Sequence, residues 1–283
     1  MAAPDPHPSV ERVPVPVDTR APGGTTNAYV AGKLLVDPAA RTDALDAAVG
    51  LDAGGEREGE RVAVDAIAVT HTHPDHVGAV AEYADLTGAS VLAHADHVDR
   101  LSEATGVEPD GAFGGGETVG DTEVRAVDTP GHAPDHVGFA VRREIDSAIP
   151  ATALLCGDLA VAEGSVVVGA PEGDLREYLA SLEHVRDAGY DRLCPGHGPA
   201  IDDPEAVCDR LIDHRLDRER AILAAVEGGA NDVDEVVEGA YEKDLTGVAD
   251  LARATVAAHL EKLLAEGRID EAWADRLDRD RAE

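Results

Sequence analysis

The sequence predicts an α/β domain followed by a smaller helical one, and three observations carry that expectation. Strand-like and helix-like segments alternate through residues 1–204, as they do in layered mixed folds. From Pro204 onward the strand signal nearly disappears and apolar residues recur at helical spacing. Between these, the apolar run Ala66-Ile67-Ala68-Val69 leads through Thr70 into His71-Thr72-His73-Pro74-Asp75-His76, a strand end crowded with polar, metal-capable side chains. At 283 residues and 43% hydrophobic, the chain can bury a sizeable core and divides as 1–204 and 205–283.

Short apolar runs place strands at 27–30, 33–36, 65–69, 90–93, 123–128, 137–141, 153–156, 166–168 and 192–194. Helical spacing covers 43–49, 77–86 and 174–188. Glycine and charge mark loops over 52–61 and 113–120. Past Pro204, the residues Val207, Leu211, Leu216, Ile222, Leu223 and Val226 line one helix, which Gly228-Gly229 stops. Asn231 or Asp232 can cap a second helix through Tyr241, and 249–266 forms a third ending at Gly267. Residues 268–273 are expected as a short strand or wing, which would make the module winged-helix-like, with a frayed charged tail behind it.

Net charge is −33, from 57 acidic and 24 basic residues, and only Lys33, Lys243 and Lys262 are lysines. An acidic, lysine-poor, aromatic-poor chain fits a protein dissolved in concentrated salt, where self-repulsion is screened, and so a haloarchaeal source. The same charge works against attraction to nucleic acid or to an anionic membrane. No run of 18 apolar residues exists, so no membrane helix is expected. Residues 1–17 are proline-rich and lack the apolar stretch of a signal peptide, so the expected location is the cytoplasm. Cys156, Cys194 and Cys208 lack CxxC spacing and are expected reduced and buried, outside any ligand set.

Histidine and aspartate are poor core residues, and clustering them needs something to offset desolvation and repulsion. A divalent metal does so. Three further strand ends carry similar residues beside glycine: Thr129-Pro130-Gly131-His132, Cys156-Gly157-Asp158 and Cys194-Pro195-Gly196-His197. The inventory is His71, His73, His76, His132 and His197 with Asp75 and Asp158. Seven ligands exceed one tetrahedral zinc and suit two metals bridged by a carboxylate. Metal coordination lowers the pKa of water from about 15.7 to about 7, which supplies hydroxide at neutral pH. Nitrogen and oxygen ligation fits two Zn2+, with iron or manganese as alternatives.

These residues, His-x-His-x-Asp-His followed by His132, Asp158 and His197, resemble the metallo-β-lactamase superfamily over about residues 20 to 200. The resemblance implies an αββα sandwich with the metals at one edge. It implies that His71, His73 and His132 hold one metal, that Asp75, His76 and His197 hold the other, and that Asp158 bridges. Asp158 and Asp75 are then the catalytic carboxylates, orienting the metals and accepting the nucleophile's proton. Nothing matches the cysteine ligand of class B1 β-lactamases, which argues against antibiotic hydrolysis. The strings Thr129-Pro130-Gly131-His132-Ala133-Pro134-Asp135-His136, Pro195-Gly196-His197-Gly198-Pro199 and His214-Arg215-Leu216-Asp217-Arg218-Glu219 are similar to the beta-lactamase-like protein 2 group, as is the tail around His259. That group has a C-terminal winged-helix-like domain. Its members include single-strand endoribonucleases, and fungal relatives are thioesterases on carrier-protein-bound polyketides. The glyoxalase II branch shares the metal string with a different tail.

The remaining histidines read differently. His136 is either an orienting partner of a ligand or a polar residue opening a strand. His94 and His97 are expected at the surface, His184 and His214 exposed on helices, and His259 packed on the last helix. Residues 205–283 hold 11 basic and 21 acidic side chains, the wrong balance for a nucleic-acid reader. Packing on the metal cleft, or homodimerisation, is the role expected for that tail. The expected activity is hydrolysis of a small ester, thioester or lactone by a metal-bridging hydroxide. Cleavage of single-stranded RNA is the alternative, and a diiron redox enzyme or a non-catalytic binding protein on the same fold are others.

Overall fold

The computed structural model describes residues 10–51, 64–143, 151–242 and 244–280. The loop expected over 52–61 lies outside the described residues. A first sheet runs β1 (Val10–Pro16), β2 (Thr25–Ala31), β3 (Leu34–Val36), β4 (Ala66–Ala68), β5 (Ser90–His94) and β6 (Gly111–Phe113), in that spatial order. The pairs from β1 to β3 are antiparallel and those from β3 to β6 parallel. A second sheet contains β7 (Arg125–Asp128), β8 (Val137–Arg143), β9 (Ala151–Gly157) and β10 (Arg192–Pro195), ordered β10-β9-β8-β7 with only the β9–β10 pair parallel.

Strand alternation assigns neighbouring side chains to different cores. In the first sheet Ala28, Val30, Leu35 and Ile67 face outward onto helices α1 (Asp43–Ala48), α3 (Val80–Thr87) and α4 (Val98–Thr105), through Leu45, Tyr83 and Leu101. Their neighbours Tyr29, Ala31, Leu34, Val36, Ala66 and Ala68 face inward, against Ala126, Val137, Phe139 and Leu155 of the second sheet. Leu154 and Cys156 point out the other side, onto Tyr178 and Leu182 of α5 (Leu175–Asp187) and Leu211 of α6 (Pro204–Glu227). The result is four layers, helix–sheet–sheet–helix, as the resemblance implied.

Beyond α6 lie α7 (Val233–Ala240), α8 (Ala249–Ala265) and α9 (Ala272–Asp280), around Ile222, Val236, Leu260, Leu263, Trp273 and Leu277. α6 serves both cores: Cys208, Leu211 and Ile212 pack under the second sheet, and Ile222 joins the helical cluster. Aspartate side chains cap α5, α6 and α7. Asp174 accepts from the Arg176 and Glu177 amides, Asp203 from Ala206 and Asp232 from Glu235. Each such cap contributes about 1 kcal/mol. Among the described residues no helix is long and apolar enough to cross a membrane.

Several sequence expectations are corrected. Residues 166–168 pair with no strand. The helix expected over 77–86 is two helices, α2 (Pro74–Val77) and α3. No wing forms at 268–273, where a turn enters α9, and the tail behind it is helical because Trp273 and Leu277, four residues apart, are both buried. β1 carries Pro14 and Pro16, which sequence patterning counts against a strand. Both are exposed at the sheet edge, the position that tolerates proline, while Val13 and Val15 between them are buried.

Candidate metal centre

All seven predicted residues converge where the strands of the two sheets end. His71 follows β4, His132 follows β7, Asp158 follows β9, His197 follows β10, and His73, Asp75 and His76 sit on the turn into α2 and in it. Three overlapping sets have ligand atoms within 4.8 Å of one another: His71, His73 and His132; His71, His76 and Asp158; and Asp75, His76 and His197. Asp158 lies between the two ends. Its Oδ1 is 3.7 Å from His76 Nε2, and its Oδ2 is 3.7 Å from His132 Nε2 and 3.4 Å from His197 Nε2.

Hydrogen bonds on the far side of each ring decide which nitrogen faces inward. His132 Nδ1–H donates to the Val167 carbonyl (2.8 Å) and His197 Nδ1–H to the Thr25 carbonyl (2.9 Å). His76 Nδ1–H donates to Asp37 (3.0 Å). The Thr70 hydroxyl donates to Asp37, so its oxygen accepts from His71 Nδ1–H at 3.1 Å. In its neutral form each of these rings thus keeps a lone pair on Nε2. His73 points its Nε2 at Glu172 (3.5 Å) and brings its Nδ1 within 2.9 Å of His71 Nε2 and 3.1 Å of His132 Nε2. Three nitrogen lone pairs aimed at one point repel unless a cation sits among them. His76 Nε2 and Asp158 Oδ1 are buried without a hydrogen-bond partner, each a cost of about 1–3 kcal/mol unless something engages it. This donor set therefore fits divalent metal ions.

The electrostatics differ between the members: burial lowers His132, whereas at His76 and His197 the pull of burial is outweighed by Asp37 and Asp158, which raise His76 to about 9 and His197 above its usual range. Burial, then the neighbouring histidines, push His71 well below the usual imidazole range, so it stays a neutral donor. Burial alone would raise the Asp158 carboxyl, but the His197 hydrogen bond and the charges of His76, His132 and His197 hold it well below the usual carboxylate range. Asp158 is an anion at any working pH.

Close approach requires glycine here. A Cβ on Gly196 would lie 2.5 Å from Asp158 Oδ1 and 2.8 Å from His76 Cε1. Gly157 adopts φ +47°, and a Cβ there would meet Thr70 at 2.7 Å and His136 Nε2 at 2.8 Å.

Sequence reasoning missed the supports. Asp37, buried in a left-handed backbone (φ 52°), accepts from the Thr70 amide (2.6 Å) and hydroxyl (2.8 Å) besides His76. Its only signal was a charged Asp-Pro directly after a buried strand. Asp135 accepts from the Thr72 amide (2.9 Å) and from Arg100 (3.0 Å), and Arg100 also holds Glu172 at 2.6 Å. Asn27 and Tyr29 pin the His197 loop by donating to the Pro195 carbonyl at 2.9 and 2.7 Å.

His136 is an orienting residue. Its Nδ1–H donates to the Thr129 carbonyl (2.8 Å) and its Nε2 accepts from the Asp158 amide (3.1 Å). Burial pushes it down to about 3, so it remains neutral. His184 and His214 are exposed, and His94 and His97 are half-buried, with His94 Nε2 3.2 Å from Asp128. All three cysteines are buried free thiols, and burial raises Cys194 and Cys208 to about 11.

His259 lies outside the metal-capable sets, buried with both ring nitrogens unpartnered. Burial, then Arg215 and Lys262, push it down to about 3, whereas an unfolded histidine titrates near 6.5. Between these values the unfolded chain holds a proton that the folded chain refuses, so stability falls as pH drops through that window, by up to about 1.4 kcal/mol per pH unit. His259→Leu is therefore expected to flatten the decline in urea midpoint between pH 6.5 and 4.5. Parallel declines for wild type and variant would contradict it.

A four-layer sandwich with converging His and Asp side chains at one edge is an arrangement that metal-dependent hydrolases use. The metallo-beta-lactamase superfamily profile matches residues 21–197, and the chain belongs to that superfamily. It is 31% identical over 224 residues to a beta-lactamase-like protein 2 homolog of Drosophila melanogaster, covering 74% of this chain and 72% of the relative. An atrochrysone carboxyl ACP thioesterase of Aspergillus fumigatus is 28% identical over 248 residues, covering 80% of this chain and 71% of the relative. Among solved structures, a metallo-beta-lactamase family protein of Thermus thermophilus superposes with a TM-score of 0.67 at 26% identity, covering 91% of this chain and 94% of the other.

Proposed function

We propose that the protein is a dinuclear metal-dependent hydrolase of a small ester or lactone and, above all, of a thioester. His71, His73 and His132 would hold one metal, Asp75, His76 and His197 the second, and Asp158 would be shared. The position of Asp158 carries this reading: its Oδ1 faces His76 of one set, and its Oδ2 lies between His197 of that set and His132 of the other. The His and Asp donor set suits zinc and is compatible with iron or manganese. Once bound, the metals would supply an acidified water as nucleophile and polarise the carbonyl under attack.

The chain's own residues do the rest. Asp158, anionic and held at its amide by His136, keeps the two ligand sets in register. Asp75, only partly buried and held by the Thr19 hydroxyl at 2.6 Å, would accept the nucleophile's proton. Residues 1–204 carry the chemistry, and 205–283 brace it from the side. The similarity to a thioesterase over most of this chain supports an acyl substrate. The net charge of −33 weighs against RNA and supports work in concentrated salt.

The test is a panel of thioester, ester, lactone, lactam and single-stranded RNA in multimolar potassium chloride, with His73→Ala as control. Thioester or ester turnover that disappears in the variant supports the proposal. RNA cleavage alone would replace it with the nuclease alternative, and turnover unchanged in His73→Ala would overturn the site.

A further inference from the structure

Among the described residues, the hydrogen bonds and ion pairs of segment 166–172 reach one end of the metal-capable cluster. The Val167 carbonyl fixes His132, and Glu172 faces His73 Nε2. Both histidines belong to the set with His71. Among the described residues no hydrogen bond or ion pair joins this segment to Asp75, His76 or His197. The segment belongs to no strand or helix, so its backbone must be held from outside.

The C-terminal helices hold it. Arg215 on α6 donates from Nη2 to the Val166 carbonyl, one residue from the carbonyl that fixes His132. The Ala170 amide donates to the Ala254 carbonyl on α8 at 3.0 Å, and Gly169 lies so close that a Cβ would meet the Ala254 Cβ at 2.8 Å. Arg215 is only 3% exposed, and none of the described carboxylates pairs with it. Around it lie the Tyr178 ring, 5.7 Å from the guanidinium carbon, together with Tyr241, Arg218 and the buried His259. A buried guanidinium with a single carbonyl partner is expensive to keep, and an apolar side chain would fill the space at lower cost.

We propose that Arg215 is a positioning residue for one metal site, holding Val166 so that the Val167 carbonyl locks His132 with its Nε2 toward His71 and His73. This rests on the two-metal reading above. Its consequence is asymmetric: losing the Arg215 donor loosens the His71/His73/His132 end and leaves the Asp75/His76/His197 end intact. Loss of a contact that orients a ligand typically costs 10–100-fold in metal affinity.

The test is zinc binding by the full-length chain, measured by chelator competition, with each site isolated in turn. His76→Ala leaves the first set, and His73→Ala leaves the second. Adding Arg215→Met to His76→Ala is expected to weaken the surviving site by about 10–100-fold. Adding it to His73→Ala should change affinity by less than about threefold, within the spread of an uninvolved substitution. Arg215→Lys, which restores a donor, should recover most of the loss, an effect that packing alone would not produce. If Arg215→Met fails to fold by circular dichroism, Arg215→Lys carries the comparison, with a smaller loss at the first site only. Equal weakening of both sites, or none at either, overturns the proposal. A wild-type chain that binds fewer than two zinc ions defeats the two-metal reading itself, whatever Arg215 does.

Discussion

Asp158→Ala is expected to cut hydrolysis by on the order of 10³-fold, because metal-assisted charge stabilisation supplies several kcal/mol and each 1.4 kcal/mol is tenfold in rate. The loss follows from geometry. Asp158 Oδ1 faces His76 and its Oδ2 faces both His132 and His197, and among the described residues no other carboxylate reaches both sets, since Glu172 meets His73, Asp37 meets His76 and Asp75 meets His197. Removing it leaves nitrogen donors facing one another without a compensating anion. The variant should therefore bind less metal as well as turn over more slowly. Asp158→Asn separates charge from shape, keeping an oxygen but losing the negative charge. It should fall close to alanine in activity. An asparagine variant with wild-type turnover would mean that the carboxylate has no role in the reaction.

The second large effect is at Asp37. This carboxylate collects three donors, the Thr70 amide, the Thr70 hydroxyl and His76 Nδ1–H. Asp37→Ala strands all three in the interior, at about 1–3 kcal/mol each. A loss of at least about 3 kcal/mol in unfolding free energy is expected, read from urea denaturation. His76 would also lose the bond that aims its Nε2, lowering metal affinity by about 10–100-fold. Asp37→Asn keeps one acceptor oxygen, turns the other into a donating amide and tolerates the left-handed backbone, so it should recover part of the stability and less of the affinity. An Asp37→Ala protein as stable as wild type would show that the Thr70 and His76 donors find other partners.

What was legible in the sequence follows from how the information is carried. The metal-capable residues were readable because they concentrate rare side chains at strand ends: no core argument explains His71, His73 and His76 within six positions. The layered strands were readable wherever apolar runs were short and bounded, as at Ala66–Ala68 and Val137–Arg143. β1 escaped because its prolines mask a strand that survives only by lying at an edge. Residues 166–168 misled in the opposite sense. Their valines read as a strand, but Val166 and Val168 are buried against the helical side of the second sheet and Val167 contributes its carbonyl to His132. The wing expected at 268–273 gave way to a helix because Trp273 reaches into the C-terminal core. Asp37, Asp135 and Arg100 were invisible for a different reason. Their partners lie 28 to 39 positions away in the chain, or further, and only the folded backbone brings them together.

The most direct test of the central claim is the metal content of the purified full-length chain by elemental analysis, beside His73→Ala and His76→Ala. The account predicts two divalent metal ions per wild-type chain and one in each variant, because each substitution dismantles one ligand set and spares the other. A single ion per wild-type chain, unchanged by either substitution, would contradict it.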